Sequence, residues 1–175
     1  MLATHLSSSE ASHPRPPRRP RLRLRFTLRS LGDASLPFYK ESLLRDAFGF
    51  ALRRAVCAIG PEAPCTDCSR RHACAYGRLF EAANESGAPP PFVLDPGTTL
   101  RTFRRGTPLD FEILLLGPAV ELQAYVVLAI ERMAKTGLGQ WRHPFELERV
   151  EYQVGDEGWR DGFVRGVRRW HQVAG

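Results

Sequence analysis

A short loop near the end of the chain carries residue types that bind a phosphate and a base. Positions 137 to 143 read Gly-Leu-Gly-Gln-Trp-Arg-His. Two glycines let the backbone adopt positive φ angles and approach a ligand closely. An arginine can hold a phosphate through two parallel hydrogen bonds, and a tryptophan can stack on a base. We therefore predict that Gly137, Gly139, Trp141 and Arg142 contact RNA.

The same loop carries a candidate catalytic group, His143. Metal-independent RNA cleavage needs one group that activates the 2′-hydroxyl and another that protonates the leaving 5′-oxygen. It also needs a cation that stabilises the charged phosphorane. His143 beside Arg142 fits these needs, and Tyr39 with Lys40 is a second candidate set. The alternatives are an ordinary loop histidine and a surface helix start.

Four cysteines lie within one stretch of the chain. Cys57, Cys65, Cys68 and Cys74 have the spacing C-x7-C-x2-C-x5-C, which is typical of a tetrahedral metal site. Four thiolate ligands leave no open position, so we expect a structural zinc and no catalytic metal. An iron–sulfur cluster and unligated thiols are the alternatives. The metal would pin an insertion over residues 57–80 that could not otherwise bury enough surface to stay ordered.

The elements that must position these residues follow from hydrophobic periodicity. Alternation predicts strands and a period near 3.6 predicts helices. The predicted elements are strand 21–28, helix 39–56, strand 92–94, strand 109–116, helix 120–133 and strand 145–154. This βαββαβ order indicates an α+β fold of the ferredoxin-like or RRM-like type. The glycine loop then connects the second helix to the last strand.

Positive charge is concentrated at the beginning of the chain. The net charge is +6, and residues 1–29 contain seven arginines and one acidic residue. Residues 1–20 are rich in proline and arginine, which predicts a disordered basic arm. In the strand that follows, Arg21, Arg23 and Arg25 alternate with apolar residues, so we expect a basic outer face that binds RNA.

The remaining composition bounds the class of protein. The chain has 175 residues, of which 43% are hydrophobic and 25% are charged, as expected for a globular domain. We expect the RNA-binding domain to span residues 21–155, with an Arg- and Gly-rich tail over 156–175. Because no secretory signal or long apolar run occurs, we expect a cytoplasmic protein without a membrane partner.

Several runs of the sequence, in order, resemble the CRISPR-associated RAMP endoribonucleases that process repeat RNA, the sixth Cas family. The resemblance covers roughly residues 20–155. The runs that carry it are Leu36-Pro37-Phe38-Tyr39-Lys40, Leu44 to Arg54 with Cys57, Cys74 to Glu81, Pro91 to Leu94, Pro108 to Gly117, and Gly137-Leu138-Gly139 with Arg142, Phe145-Glu146-Leu147 and Val150.

The resemblance implies a ferredoxin-like RAMP domain that acts in CRISPR RNA maturation, binding repeat RNA and cleaving it without a metal ion. Members of the family carry two such domains in tandem, so residues 156–175 would begin a second domain. Phe50 stands where similar sequences often carry histidine. Two alternatives stay open. One is a non-catalytic RNA-binding RAMP subunit that associates with other CRISPR-associated proteins, and the other is a zinc-stapled protein-interaction module.

Overall fold

The computed structural model describes residues 20–81 and 90–165. The strands are β1 Arg21–Ser30, β2 Ala34–Ser35, β3 Phe92–Asp95, β4 Thr102–Phe103, β5 Pro108–Leu116, β6 Phe145–Val154 and β7 Arg160–Val164. The α-helices are α1 Glu41–Val56 and α2 Gln123–Thr136. Two 3-10 helices, Cys65–Asp67 and Gly117–Leu122, and a π-helical turn, Gly77–Glu81, connect them. The predicted arm at residues 1–19 lies outside the described residues.

Within the described ranges, five strands form an antiparallel sheet with the order β3-β5-β1-β6-β7. Its first four strands have the arrangement of a βαββαβ unit, because β1 and β5 are interior while β3 and β6 flank them. The predicted element order is therefore confirmed. A separate pair, β2 with β4, was not predicted from the sequence.

One face of the sheet carries the hydrophobic core. Along β1, Leu22, Leu24, Phe26 and Leu28 are buried, as the alternation predicts. The Phe26 ring stacks on the ring of Phe111 in β5, with centroids 5.3 Å apart. The buried stripes of α1 and α2 belong to the same core. Burying each large apolar side chain stabilises the fold by about 1.5–3 kcal/mol.

The sheet extends past the predicted domain boundary at residue 155, and residues 166–175 of the predicted tail lie outside the described residues. Residues 160–164 form strand β7, which pairs with β6 at the edge of the sheet. Phe163 lies opposite Val150 and packs against the core, so an apolar residue in the Arg- and Gly-rich segment anchors it. The second helical segment also begins differently, because Gly117–Leu122 forms a 3-10 turn before α2. Among the helices described, none is long and apolar enough to cross a membrane.

The cysteine-bearing insertion is anchored by aromatic packing. The Tyr76 and Phe80 rings stack with centroids 5.2 Å apart, and Phe80 also contacts the rings of Phe48 and Phe92. Leu79 is fully buried. The last part of the insertion therefore contributes its own side chains to the core, and the ordering of residues 57–74 by a metal stays a prediction.

Candidate nucleic-acid interface

The glycine loop is a tight reversal with fixed geometry. The backbones of Leu138 and His143 exchange two hydrogen bonds of 2.8 and 2.9 Å, and the Arg142 N–H donates to the Gly139 carbonyl at 3.1 Å. Gly137 has φ +93°, and a Cβ at this position would lie 2.2 Å from the Arg142 carbonyl oxygen. The side chain of Leu138 is fully buried. The loop is thus held at its base while its tip faces solvent.

The tip presents the two residues predicted to contact RNA. Trp141 is 75% exposed, and Arg142 is exposed with φ +50°. Left-handed backbone costs a non-glycine residue about 1–2 kcal/mol, which is a reason to look for a function there. Across the part of the chain that the structure describes, no carboxylate pairs with the Arg142 guanidinium. Arg142 can therefore receive an anion without breaking an ion pair with those residues.

Two further connections lie at the same end of the domain as the glycine loop, and the first of them contacts it directly. The Ser35 N–H points at His143 Nε2 at 3.4 Å, and the Leu31 N–H donates to the Pro144 carbonyl at 3.0 Å. The second connection contacts the first, since the Leu36 N–H donates to the Arg101 carbonyl at 2.9 Å, next to the β2–β4 pair. We call residues 31–40, 96–107 and 137–144 together the loop surface.

The middle segment of the loop surface carries three exposed arginines, Arg101, Arg104 and Arg105. Within residues 20–81 and 90–165, none of their guanidinium groups forms an ion pair. Phe103, which lies between Arg101 and Arg104, is fully buried and anchors the segment to the core. Sequence reasoning missed these residues, although the run Arg-Thr-Phe-Arg-Arg around one apolar anchor was a visible signal.

The arginines of β1 lie in a different electrostatic environment. Arg21, Arg23 and Arg25 point away from the core, as predicted, onto what we call the outer sheet face. Arg25 donates to Glu112 through Nε at 2.9 Å and through a terminal nitrogen at 2.8 Å. Arg21 pairs with Asp156, and a terminal nitrogen of Arg23 lies 3.9 Å from Glu112.

The outer sheet face is therefore not the basic surface that the sequence predicted. Carboxylates on β5 and β6 and after β6 neutralise the row of arginines. The guanidinium of Arg25 also lies over the Trp159 ring, 3.9 Å from its centroid. Exposed pairs contribute little stability, but a phosphate would have to displace a carboxylate here. RNA contact by these three arginines stays a prediction.

The structure separates Tyr39 from Lys40. Tyr39 is 82% exposed, whereas Lys40 is fully buried. The Lys40 ammonium donates to the carbonyls of Phe38 at 3.3 Å and Thr98 at 3.4 Å. Burial, with a smaller contribution from the nearby Arg101 cation, lowers the pKa of Lys40 below its ordinary value. Lys40 joins two segments of the loop surface, and its lack of exposed surface argues against direct contact with RNA.

His143 is half-buried at the foot of the glycine loop. Its Nε2 faces the Ser35 N–H at 3.4 Å, so that nitrogen is placed as an acceptor. The Gly139 backbone lies against the same ring, since a Cβ built there would be 3.9 Å from His143 Cδ2. The ring thus helps to join the loop to β2. A catalytic role for His143 stays a prediction.

The four cysteines surround one cavity of about 660 Å³ between the end of α1, the insertion and α2. All four thiols are free and partly buried. Cys57 Sγ donates to the Gly60 carbonyl at 3.0 Å, and Cys74 Sγ accepts from the Gly77 N–H at 3.4 Å. Burial raises the pKa of the Cys65 thiol. Among the described residues, no three His, Cys, Asp or Glu side chains are grouped as metal ligands.

Comparisons with known proteins address the fold. The family model AF_1859_N, described as an N-terminal domain, matches residues 19–169. The structure superposes on a chain of the Csm3–Csm4 subcomplex in the type III-A CRISPR-Cas interference complex with a TM-score of 0.50. The sequences are 12% identical, and the alignment covers 78% of this chain and 80% of the other. No curated protein sequence matches the chain. The likeness shows that the two chains share a mixed α/β fold, which has an antiparallel sheet in this chain.

Proposed function

The chain belongs to the N-terminal domain family AF_1859_N, and from its RAMP-like fold and the arginines of its loop surface we propose that it binds RNA in a CRISPR-Cas system. The RNA is the repeat-derived CRISPR RNA or its precursor. The sequence resemblance to repeat-RNA endoribonucleases and the likeness to a CRISPR-Cas subcomplex chain support this choice of RNA.

The proposal rests on the contrast between two sets of arginines. Those of β1 lie beside carboxylates, whereas Arg101, Arg104, Arg105 and Arg142 share one end of the domain without such partners among the described residues. Phosphate binding by arginine releases counterions, and each contact adds to affinity at low salt. The exposed Trp141 beside them offers a stacking platform, as single-stranded RNA sites require.

Binding without cleavage fits the described residues better than catalysis. Metal-independent cleavage needs an acid and a base at the scissile phosphate. Lys40 is buried, and Tyr39 lies in solvent with no side-chain hydrogen-bond partner among residues 20–81 and 90–165. Phe50 occupies the position where the resemblance implies histidine. We propose a non-catalytic subunit that associates with other CRISPR-associated proteins, with an endoribonuclease as the second candidate.

A matched pair of double variants tests the RNA-binding site in the full chain. Arg104→Gln with Arg105→Gln removes two charges without an ion-pair partner in the described part of the chain, while Arg23→Gln with Arg149→Gln removes two charges that lie beside carboxylates. Binding of labelled CRISPR repeat RNA is measured across a salt series. We expect the loop variant to weaken binding and to reduce the slope of log affinity against log salt by about 1.4, at roughly 0.7 per phosphate contact. Equal losses in the two variants would contradict the assignment.

The same RNA distinguishes binding from cleavage. Single-turnover incubation in EDTA is expected to leave the RNA intact. Cleavage products would support the endoribonuclease instead. In that case His143→Ala is the decisive variant, because His143 is the titratable side chain at the foot of the glycine loop. A slower rate for this variant would assign His143 to the reaction, and an unchanged rate would remove it.

We also propose that the cysteine insertion binds a structural zinc through Cys57, Cys65, Cys68 and Cys74. The support is the spacing of the thiols and their arrangement around one cavity. Zinc is bound by thiolates, so metal would have to displace the thiol protons and draw the four sulfur atoms together. An iron–sulfur cluster is the alternative occupant of the same four ligands.

A further inference from the structure

A groove of about 300 Å³ separates α1 from the glycine loop. The helix contributes Leu43, Asp46 and Phe50 to its walls, and the loop contributes Gly139, Gln140 and Arg142. Its volume is at the lower end of the range of about 300–1,000 Å³ in which proteins hold small ligands. The groove opens beside Arg142, which has no ion-pair partner among the described residues, so it continues the loop surface toward α1.

Phe50 is the aromatic wall of this groove. Its side chain is 45% exposed, although the other phenylalanine of α1, Phe48, is fully buried in the core. Asp46, Phe50 and Arg54 follow one another at four-residue spacing, so they form one strip along the helix. The Arg54 guanidinium lies 5.4 Å from the centre of the Phe50 ring. The guanidinium lies over one face of the ring, which leaves the other face for a stacking partner.

We infer that this groove accommodates one unpaired base of the bound RNA, stacked on the Phe50 ring. The inference rests on the proposed RNA binding and names the part of the ligand that enters the site. A stacked base would place its flanking phosphates toward Arg142 on the loop and Arg54 on the helix. The Asp46 carboxylate and the Gln140 amide lie on the groove walls, where they can pair with an exocyclic amine and a ring nitrogen.

The groove would contribute base stacking, whereas the arginines of the loop surface would contribute electrostatic attraction. Stacking on an aromatic side chain contributes about 1–3 kcal/mol per base and is nearly independent of salt. Loss of the Phe50 ring should therefore weaken binding roughly 5- to 150-fold, since 1.4 kcal/mol is a factor of ten. The salt slope should stay unchanged because no charge is removed.

The test compares Phe50→Ala, Phe50→Leu and Phe50→Trp in the full chain, with Tyr125→Ala as the control. Tyr125 is 47% exposed on α2 and lines the cysteine cavity instead. Binding is measured by titrating a single-stranded repeat RNA in which 2-aminopurine replaces one base at a time. We expect Ala and Leu to lose affinity at an unchanged salt slope, and Trp and the Tyr125 control to retain it. One 2-aminopurine position should be quenched by the wild type and not by Phe50→Ala.

The outcomes distinguish the proposal of a base in the groove from the proposal that the chain binds RNA. If Phe50→Ala and Phe50→Leu bind as tightly as the wild type while the Arg104 and Arg105 variant loses affinity, the groove takes no base and the RNA-binding proposal stands. If the wild type binds no RNA at low salt, both proposals are wrong. Because Phe50→Leu preserves an apolar helix surface, a loss shared by Ala and Leu identifies the ring and excludes unfolding as the cause.

Discussion

Gly137→Ala is the substitution whose cost the structure specifies most fully. The residue has φ +93° and ψ 153°, a region that is open essentially to glycine alone. Placing alanine there costs about 1–3 kcal/mol in backbone strain. The new Cβ would also lie 2.2 Å from the Arg142 carbonyl oxygen. That oxygen belongs to a hairpin closed by two hydrogen bonds, so it cannot move freely, and forced overpacking costs about 1–3 kcal/mol more.

Variants at two other glycines separate the cost of backbone strain from the cost of the steric clash. Gly155 has φ +57°, and a Cβ at this position would have open space around it. Gly155→Ala should therefore cost only the strain of a left-handed backbone, about 1–2 kcal/mol. Gly32 has open space and no positive φ, so Gly32→Ala should be neutral or stabilising by about 0.4–1 kcal/mol. Gly137→Ala should lose about 2–6 kcal/mol in total.

Urea denaturation of the three variants gives the free energies of unfolding, and RNA titration of each gives its affinity. Gly137→Ala should also weaken RNA binding under conditions where it remains folded, because the clash displaces Arg142. Gly155→Ala and Gly32→Ala should bind normally. If Gly137→Ala were as stable as Gly155→Ala, the close approach of the Arg142 carbonyl would be refuted. Normal RNA affinity in a folded Gly137→Ala would separate the loop from the RNA site.

Two further predictions concern the interior and the insertion. Burial lowers the pKa of Lys40, so the unfolded chain holds this proton more tightly, and the wild type should gain stability relative to Lys40→Met as pH rises toward 10.5. Parallel stability–pH curves for the two, with Lys135→Met as the exposed control, would argue against this burial. For the insertion, metal analysis should find zinc that Cys65→Ser and Cys68→Ser lose and His72→Ala retains. Purified chain with neither zinc nor iron would count against the metal site.

The sequence alone determined both helices, four of the strands and the order of these elements. In β1 the alternation of leucine and arginine decides which side chains face the core, because successive residues of a strand point to opposite faces. The apolar stripe of α1 predicts its buried side in the same way. Strand β7 escaped prediction because the alternation in its five residues is weak, and its pairing with β6 contributes to its stability.

Only the tertiary structure decided which arginines are available to a ligand. Arg25 and Glu112 are 87 positions apart in the chain, and no local pattern shows that β1 and β5 bring them together. Ser35 and His143 are 108 positions apart, and their contact joins two connections of the loop surface. Charge along the chain therefore indicated a basic strand, while the fold neutralised that strand and left Arg101, Arg104, Arg105 and Arg142 exposed at one end. The physical reason is that local periodicity specifies burial, whereas electrostatic pairing depends on contacts between residues distant in sequence.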